Sequence, residues 1–308
     1  MLIYNNINEL PQFDEPIITI GSFDGVHIGH QTILNQIVVK AHEQHKKSVL
    51  ITFHPHPRKL VNPNEPIKLL NSLDEKLERI EQLGIDICII VPFTKDFAGL
   101  SAQHYVEDFL IKKLNPSLII IGYDHHFGND RSGNIELLKQ YATKGHFDLI
   151  EISAQLIHAA AISSTQIRKA LLNGDIDNSA QMLGYNYSIS GKVVYGKQLG
   201  RTIGYPTANI DINDNDKLIP LNGVYFVHVL IDTLQYPAML NIGTNPTVST
   251  TSNTKIEVHI FNFDLNIYDK EIGIVFLKRI RDEQKFESIE ALKKQLSLDE
   301  AACKNLIA

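Results

Sequence analysis

Residues 17–30 read IITIGSFDGVHIGH. Ile17–Ile20 form an apolar run of strand length, the kind found in parallel sheets buried on both faces. Glycine then recurs at Gly21, Gly25 and Gly29. It lets the backbone turn freely and approach a ligand closely. A helix predicted over His30–His45 follows at once. Its first N–H groups and the positive end of its dipole face whatever sits in the turn, which makes an anion site. His27 and His30 are three apart, so they share one side of a helical turn. Imidazole N–H groups there suit phosphate oxygens and the charge that grows in a phosphoryl transition state. The chain has no GxxxxGK[ST] P-loop, and this turn is not GxGxxG.

The same grammar continues downstream. Apolar runs at Val49–Phe53, Ile85–Val91, Leu118–Ile121 and Phe147–Ile152 alternate with helical stretches at Asp74–Leu83, Ala102–Leu114 and Asn134–Thr143. Strands alternating with helices predict an α/β domain with a parallel, Rossmann-like sheet. Two shorter helices follow, Ser164–Leu172 and Asp175–Leu183, parted by Asn173–Gly174. Beyond Gly184 the pattern changes. Tyr187–Val194, Gly223–Ile231, Tyr236–Ile242, Lys255–Phe263 and Glu271–Phe276 are strand-like and divided by Gly, Asn, Asp and Pro clusters. That predicts an antiparallel barrel or sandwich, closed by helices at Ser288–Leu296 and Leu298–Leu306. The expected domains are 1–184 and 185–308.

The 308 residues suit two domains. A net charge of -6 and 21% charged residues give no basic face for nucleic acid. No apolar run nears the roughly 18 residues of a membrane span, and the first sixteen residues lack a signal-peptide pattern. The expectation is a cytoplasmic protein whose partners are small molecules, as a monomer or weak homo-oligomer. Cys88 and Cys303 read as small hydrophobes with no CxxC pairing.

A second candidate site opens the second half. Residues 190–210, SGKVVYGKQLGRTIGYPTANI, carry Gly191, Gly196, Gly200 and Gly204 beside Lys197 and Arg201. Backbone amides and cations in such a loop cradle phosphates without a Walker motif. Thr207 and Asn209 offer hard oxygens two residues apart, as Mg2+ prefers. In KIEVHIF (255–261), Ile256, Val258 and Ile260 share one face while Glu257 and His259 take the other. A mid-strand carboxylate suits deprotonation of a hydroxyl for phosphoryl transfer; a solvated outward glutamate is the alternative.

These segments resemble a known family. GSFDGVHIGH, TFHPHP (52–57), GYDHHFG (122–128) and ISSTQIRKAL (162–171) look, in order, like the HxGH nucleotidylyltransferase module of bacterial bifunctional FAD synthetases. GRTIGYPTAN (200–209), GVY (223–225), NIGTNPT (241–247), IEVHIFNFD (256–264) and RDEQKF (281–286) follow the order of its riboflavin kinase module, a β-barrel with terminal helices. The resemblance implies that riboflavin and ATP give FMN with Mg2+, and that FMN and ATP give FAD and pyrophosphate. It implies ATP contacts at Gly21, Phe23, Asp24, His27, Gly29 and His30, with Ser164, Thr165 and Arg168 closing over the triphosphate. It implies FMN contacts at Pro55, Pro57, Asp124 and Phe127. In the kinase it implies ATP binding by Gly200, Arg201, Gly204, Thr207 and Asn209, metal binding by Thr207 and Asn209, Glu257 as base, and Arg281 and Phe286 at the flavin. Two positions depart from the pattern: His125 stands for an aromatic residue and Asn245 for an arginine. A transferase for another phosphorylated substrate and a non-catalytic flavin binder are the rival readings.

Overall fold

The structure is a computed structural model that describes residues 1–123, 125–153, 162–196, 199–212, 214–244 and 254–307, the side chain of Leu199 excepted. Contacts divide the chain into two compact units, Met1–Ser164 and Thr165–Ala308.

The first unit follows the alternation of its sequence. Its elements are β1 (Leu2–Tyr4), β2 (Ile17–Ile20), α1 (Ile28–Glu43), β3 (Ser48–His54), α2 (Pro57–Val61), α3 (Leu73–Gln82), β4 (Ile87–Pro92), α4 (Lys95–Ala98), α5 (Ala102–His104), β5 (Leu118–Gly122), α6 (Ile135–Thr143) and β6 (Asp148–Ile152). Past α5 the helix continues in π geometry over Tyr105–Leu114, where a plain α-helix is expected. β1 is not foreseen: three residues are too few for a periodicity to register.

The six strands form one sheet in the order β1-β4-β3-β2-β5-β6, with every neighbouring pair parallel. Successive strand residues point to opposite faces, and two separate cores result. Ile18, Val49, Ile51, Ile87 and Ile89 pack with Val106, Phe109 and Leu138 on one face. Ile17, Leu50, Cys88, Ile90 and Ile120 pack with Ile33, Leu34, Ile37 and Ile80 on the other. Helices therefore cover both sides, and the central strands read as unbroken apolar runs for that reason. β2 lies where the strand order reverses, since β3 flanks it on one side and β5 on the other. In such sheets ligands bind beyond the carboxyl ends of the strands at this reversal, which is where the glycine turn begins.

The second unit contains α7 (Ser164–Leu172, but for its first residue), α8 (Ile176–Leu183), β7 (Ser188–Val194), α9 (Leu199–Thr202), β8 (Ala208–Asp211), β9 (Gly223–Ile231), β10 (Leu234–Thr244), β11 (Thr254–Ile260), β12 (Glu271–Arg281) and α10 (Ile289–Lys304). Its strands close into a barrel in the order β10-β11-β8-β7-β12-β9, antiparallel throughout. The two helices expected at the end of the chain are one, α10. Ser297 does not interrupt it, because Asp299 and Cys303, one turn apart, are both buried and hold the segment to the barrel. Cys303 packs with Val224, Phe226, Met239 and Phe261 on the barrel's outer face. Asp299 receives a bidentate pair from Arg281, Nε to Oδ1 at 2.8 Å and Nη2 to Oδ2 at 2.6 Å.

Candidate active sites

In the first unit the glycine turn leaves β2 and enters α1. Gly21 leaves room for the Phe23 ring, which an added Cβ would crowd at 3.0 Å. Phe23 and Val26 sit at positive φ, 48° and 35°, a backbone geometry unusual for side chains of that size. Such strain gathers where surrounding structure enforces a ligand site. His27 caps α1: its Nδ1 accepts from the His30 N–H at 3.3 Å. Nδ1 must then be unprotonated, which leaves the proton of the neutral ring on Nε2. The two expected imidazoles do come together, stacked with centroids 3.6 Å apart, and Phe23 meets the His30 ring edge-on at 5.1 Å.

His30 Nδ1 is buried and has no hydrogen-bond partner among the described residues. Burial, then His27 and then Lys76 hold the His30 pKa well below the ordinary imidazole value. His30 is thus held neutral, and an anion entering beside it would offset that depression. Asp24 is buried and accepts the Leu70 N–H at 2.9 Å and the Asn71 N–H at 3.4 Å, which ties a second loop to the turn. Its carbonyl accepts from Ser164 Oγ at 2.9 Å. Gly29 is buried in the first turn of α1. Thr165 and Arg168 follow Ser164 along α7 and group with the second unit.

The remaining expected residues of this site spread along the carboxyl edge of the sheet. Pro55 follows β3 through a cis peptide and Pro57 opens α2. Phe127 is buried and stacks on Tyr105 with centroids 5.0 Å apart, so its ring belongs to the core. Asp124 lies outside the described residues. His125 has its Nε2 enclosed without a partner among the described residues, and burial followed by the charge of His126 lowers its pKa to about 4. Sequence reasoning missed Lys76, whose ammonium donates to the Ser22 carbonyl and to Thr52 Oγ1. A lysine four residues before Ile80, inside an apolar stripe, was the available signal.

In the barrel the register brings the second set together. Asn209 of β8 lies opposite Glu257 of β11, and Glu257 lies opposite Asn241 of β10. These three side chains therefore share one face of three adjoining strands. Glu257 is 28% exposed and pairs with Lys255 at 2.6 Å on the same strand face. A cavity of about 640 Å³ is lined by Val193, Arg201, Thr207, Val258, Phe263 and Tyr268, among others; it takes Ala208, Val258 and Ile260 from the strand face opposite Glu257 and Asn209. Two of the loop glycines are closely packed. A Cβ at Gly196 would collide with the Asn209 amide, and one at Gly200 would strike the Tyr205 carbonyl and sit 3.4 Å from Thr207 Oγ1. Gly204 turns at φ 88°. Lys255, Asn241 and the stacked pair Tyr195–Tyr268, with centroids 3.9 Å apart, were not anticipated. Arg281 has its guanidinium engaged by Asp299 and lies 5.8 Å from the Phe286 ring. Lys197 and Asn245 lie outside the described residues.

The family model described as FAD synthetase matches residues 11–166, and the one described as riboflavin kinase matches residues 183–307. A curated relative from Buchnera aphidicola subsp. Schizaphis graminum, named bifunctional riboflavin kinase/FMN adenylyltransferase, is 41% identical over 92% of this chain and 91% of its own. The chain belongs to the bifunctional riboflavin kinase/FMN adenylyltransferase family. The member of that name from Escherichia coli K12 is 35% identical over 96% of this chain and 94% of its own. A solved structure described as a macrolide-efflux protein from Streptococcus pneumoniae superposes with a TM-score of 0.88 at 31% identity, covering 99% and 98% of the two chains. Among the described residues no helix of this family member is long and apolar enough to cross a membrane.

Proposed function

We infer that this chain converts riboflavin to FAD in two ATP-consuming steps, one in each unit. What carries the reading is the coexistence of two multi-residue signatures whose chemistries connect, since the product of the barrel's reaction is the substrate of the other unit. The modules are taken as residues 1–184 and 185–308, and the working compartment as the cytoplasm.

In the first step Glu257 takes the proton of the riboflavin hydroxyl as its oxygen attacks the γ-phosphorus of ATP; the new O–P bond forms as the bond to ADP breaks. Lys255 pairs with the carboxylate and holds it in place until the hydroxyl enters. Arg201, Gly200 and Gly204 cradle the phosphates, and Phe286 closes on the flavin with Arg281 anchoring its loop to α10. Thr207 and Asn209 would supply the hard oxygens that suit Mg2+; Thr207 lines the cavity, and the bare Gly196 leaves room for the Asn209 amide. When bound, the ion neutralises phosphate charge.

In the second step an FMN phosphate oxygen attacks the α-phosphorus of ATP in line and pyrophosphate leaves, with no covalent enzyme intermediate. His27 and His30 donate to the phosphates at the entrance of α1, Gly21, Phe23, Asp24 and Gly29 shape the turn, and Ser164, Thr165 and Arg168 close over the triphosphate. Guanidinium suits that role by its bidentate match to phosphate. Pro55, Pro57 and Asp124 border the flavin phosphate, with Phe127 supporting that edge from the core.

The test is direct. Pure protein is incubated with riboflavin, ATP and Mg2+, and flavins are resolved by chromatography over time. FMN followed by FAD is expected; unchanged riboflavin, with supplied FMN also unchanged, overturns the reading.

A further inference from the structure

Lys76 is only 8% exposed. Lysine is almost never buried this deeply unless its ammonium has partners. Nζ donates to the Ser22 carbonyl at 3.3 Å and to Thr52 Oγ1 at 3.0 Å, and Thr52 Oγ1 donates to the same carbonyl at 3.2 Å. Lysine and threonine thus grip the same carbonyl at the start of the glycine turn. The next residue is Phe23, at φ 48°, whose ring meets His30. α3 presents the lysine rigidly, because Ser72 and Glu75 form a reciprocal capping box one turn before it.

A neutral donor would suffice to hold a carbonyl. Burying an ammonium costs several kcal/mol in desolvation, so its presence needs a further reason. An anion site directly above the turn supplies one. We propose that Lys76 is a positioning residue of the adenylylation site, clamping the Ser22 peptide at the start of the His27–His30 turn and placing its ammonium there to draw in the triphosphate. This rests on the reading of the glycine turn as the ATP site. The groups acting electrostatically on His30 are His27, at the head of its own helix, and Lys76 from α3; those acting on Lys76 are Cys88 of β4 and Asp24 of the turn. Burial raises the Cys88 thiol to about 12, so it stays neutral. Removing the lysine charge takes away the smallest of the three causes that depress His30, so its titration moves upward while burial and His27 still hold it low.

Three full-length variants separate charge from tether. Lys76→Gln keeps a donor and loses the charge, Lys76→Arg keeps the charge, and Lys76→Met loses both. FAD formation from FMN and ATP is measured alongside FMN formation by the barrel, and the imidazole carbons are titrated by NMR with His30 assigned by comparison with His30→Ala. Lys76→Gln and Lys76→Met are expected to raise the KM for ATP in FAD formation about tenfold and to move the His30 titration to higher pH. Lys76→Arg should recover part of both, and FMN formation should not change. If Lys76→Gln matches the parent in KM, kcat and His30 titration, the lysine is a structural tie alone and the proposal falls. Should Lys76→Met lose its dispersed histidine signals, Lys76→Gln and Lys76→Arg decide the matter. If the parent itself makes no FAD, the ATP reading fails, and an unmoved His30 titration in Lys76→Gln would then still reject the charge effect.

Discussion

At the residue scale the two sites rest on opposite uses of burial. His30 is kept neutral by enclosure and by neighbouring positive charge, whereas Glu257 stays half-open beside a lysine. Their substitutions should therefore separate the two activities. His30→Ala is expected to lower FAD formation from FMN by about a hundredfold while riboflavin still becomes FMN. Glu257→Gln is expected to lower FMN formation by about a hundredfold or more while supplied FMN is still adenylated; both are read from flavin chromatography. A Glu257→Gln enzyme that phosphorylates riboflavin at the parental rate would remove the base assignment. His30 and His125 also carry a stability signature. Both have depressed pKa values in the folded chain, so protons bind the unfolded chain more readily. The stability this confers is present above the unfolded value near 6.5 and is lost as pH falls, down to about 4 for His125. The melting temperature of the first unit should fall across that window, and His125→Phe should flatten the fall. Little of this was legible beforehand. Histidine spacing announced the pair, but no pattern of residue types announces which imidazole loses its water.

At the element scale most of the fold was legible, because the central strands of the first unit are apolar on both faces and those of the barrel alternate. The departures have local causes. α10 runs through Ser297 since Asp299 is neutralised from another element, and an ion pair with Arg281, distant in sequence, cannot be read from a helix's own periodicity. Asp299→Ala would leave that largely buried guanidinium without its carboxylate, holding only the Asp282 carbonyl among the described residues, and should destabilise the barrel by about 3 kcal/mol in a denaturant titration. Gly128 makes a similar point. It lies at φ 72°, and an added Cβ would fall 2.7 Å from the Ala102 Cα. Gly128→Ala should cost the first unit about 1–3 kcal/mol, measured by thermal unfolding. The glycine looked like part of a ligand loop, yet its immediate task is to let that loop pass a helix start.

At the scale of the whole molecule, the family's two chemistries occupy separate stretches of sequence, matched at residues 11–166 and 183–307. Release of FMN into solution would make the order of the units immaterial. A mixture of His30→Ala and Glu257→Gln proteins should then regain FAD synthesis from riboflavin, with a lag that shortens as total protein rises. Failure to regain it, with each variant retaining its remaining activity, would mean that FMN does not travel between chains. The change of grammar near Gly184 was plain because the periodicity of the apolar residues changes there. The placement of α7 and α8 was not, since short amphipathic helices carry no mark of the sheet or barrel they will cover.

The closed order of the barrel has one more effect. Each of its six strands already has a neighbour on both sides, so a stray β-segment from another polypeptide finds no row of unsatisfied amides to join. The open sheet has two rims, three-residue β1 and the acidic β6 with Asp148 and Glu151. Misassembly between crowded copies would have to start at those rims, where brevity on one side and like charge on the other discourage it.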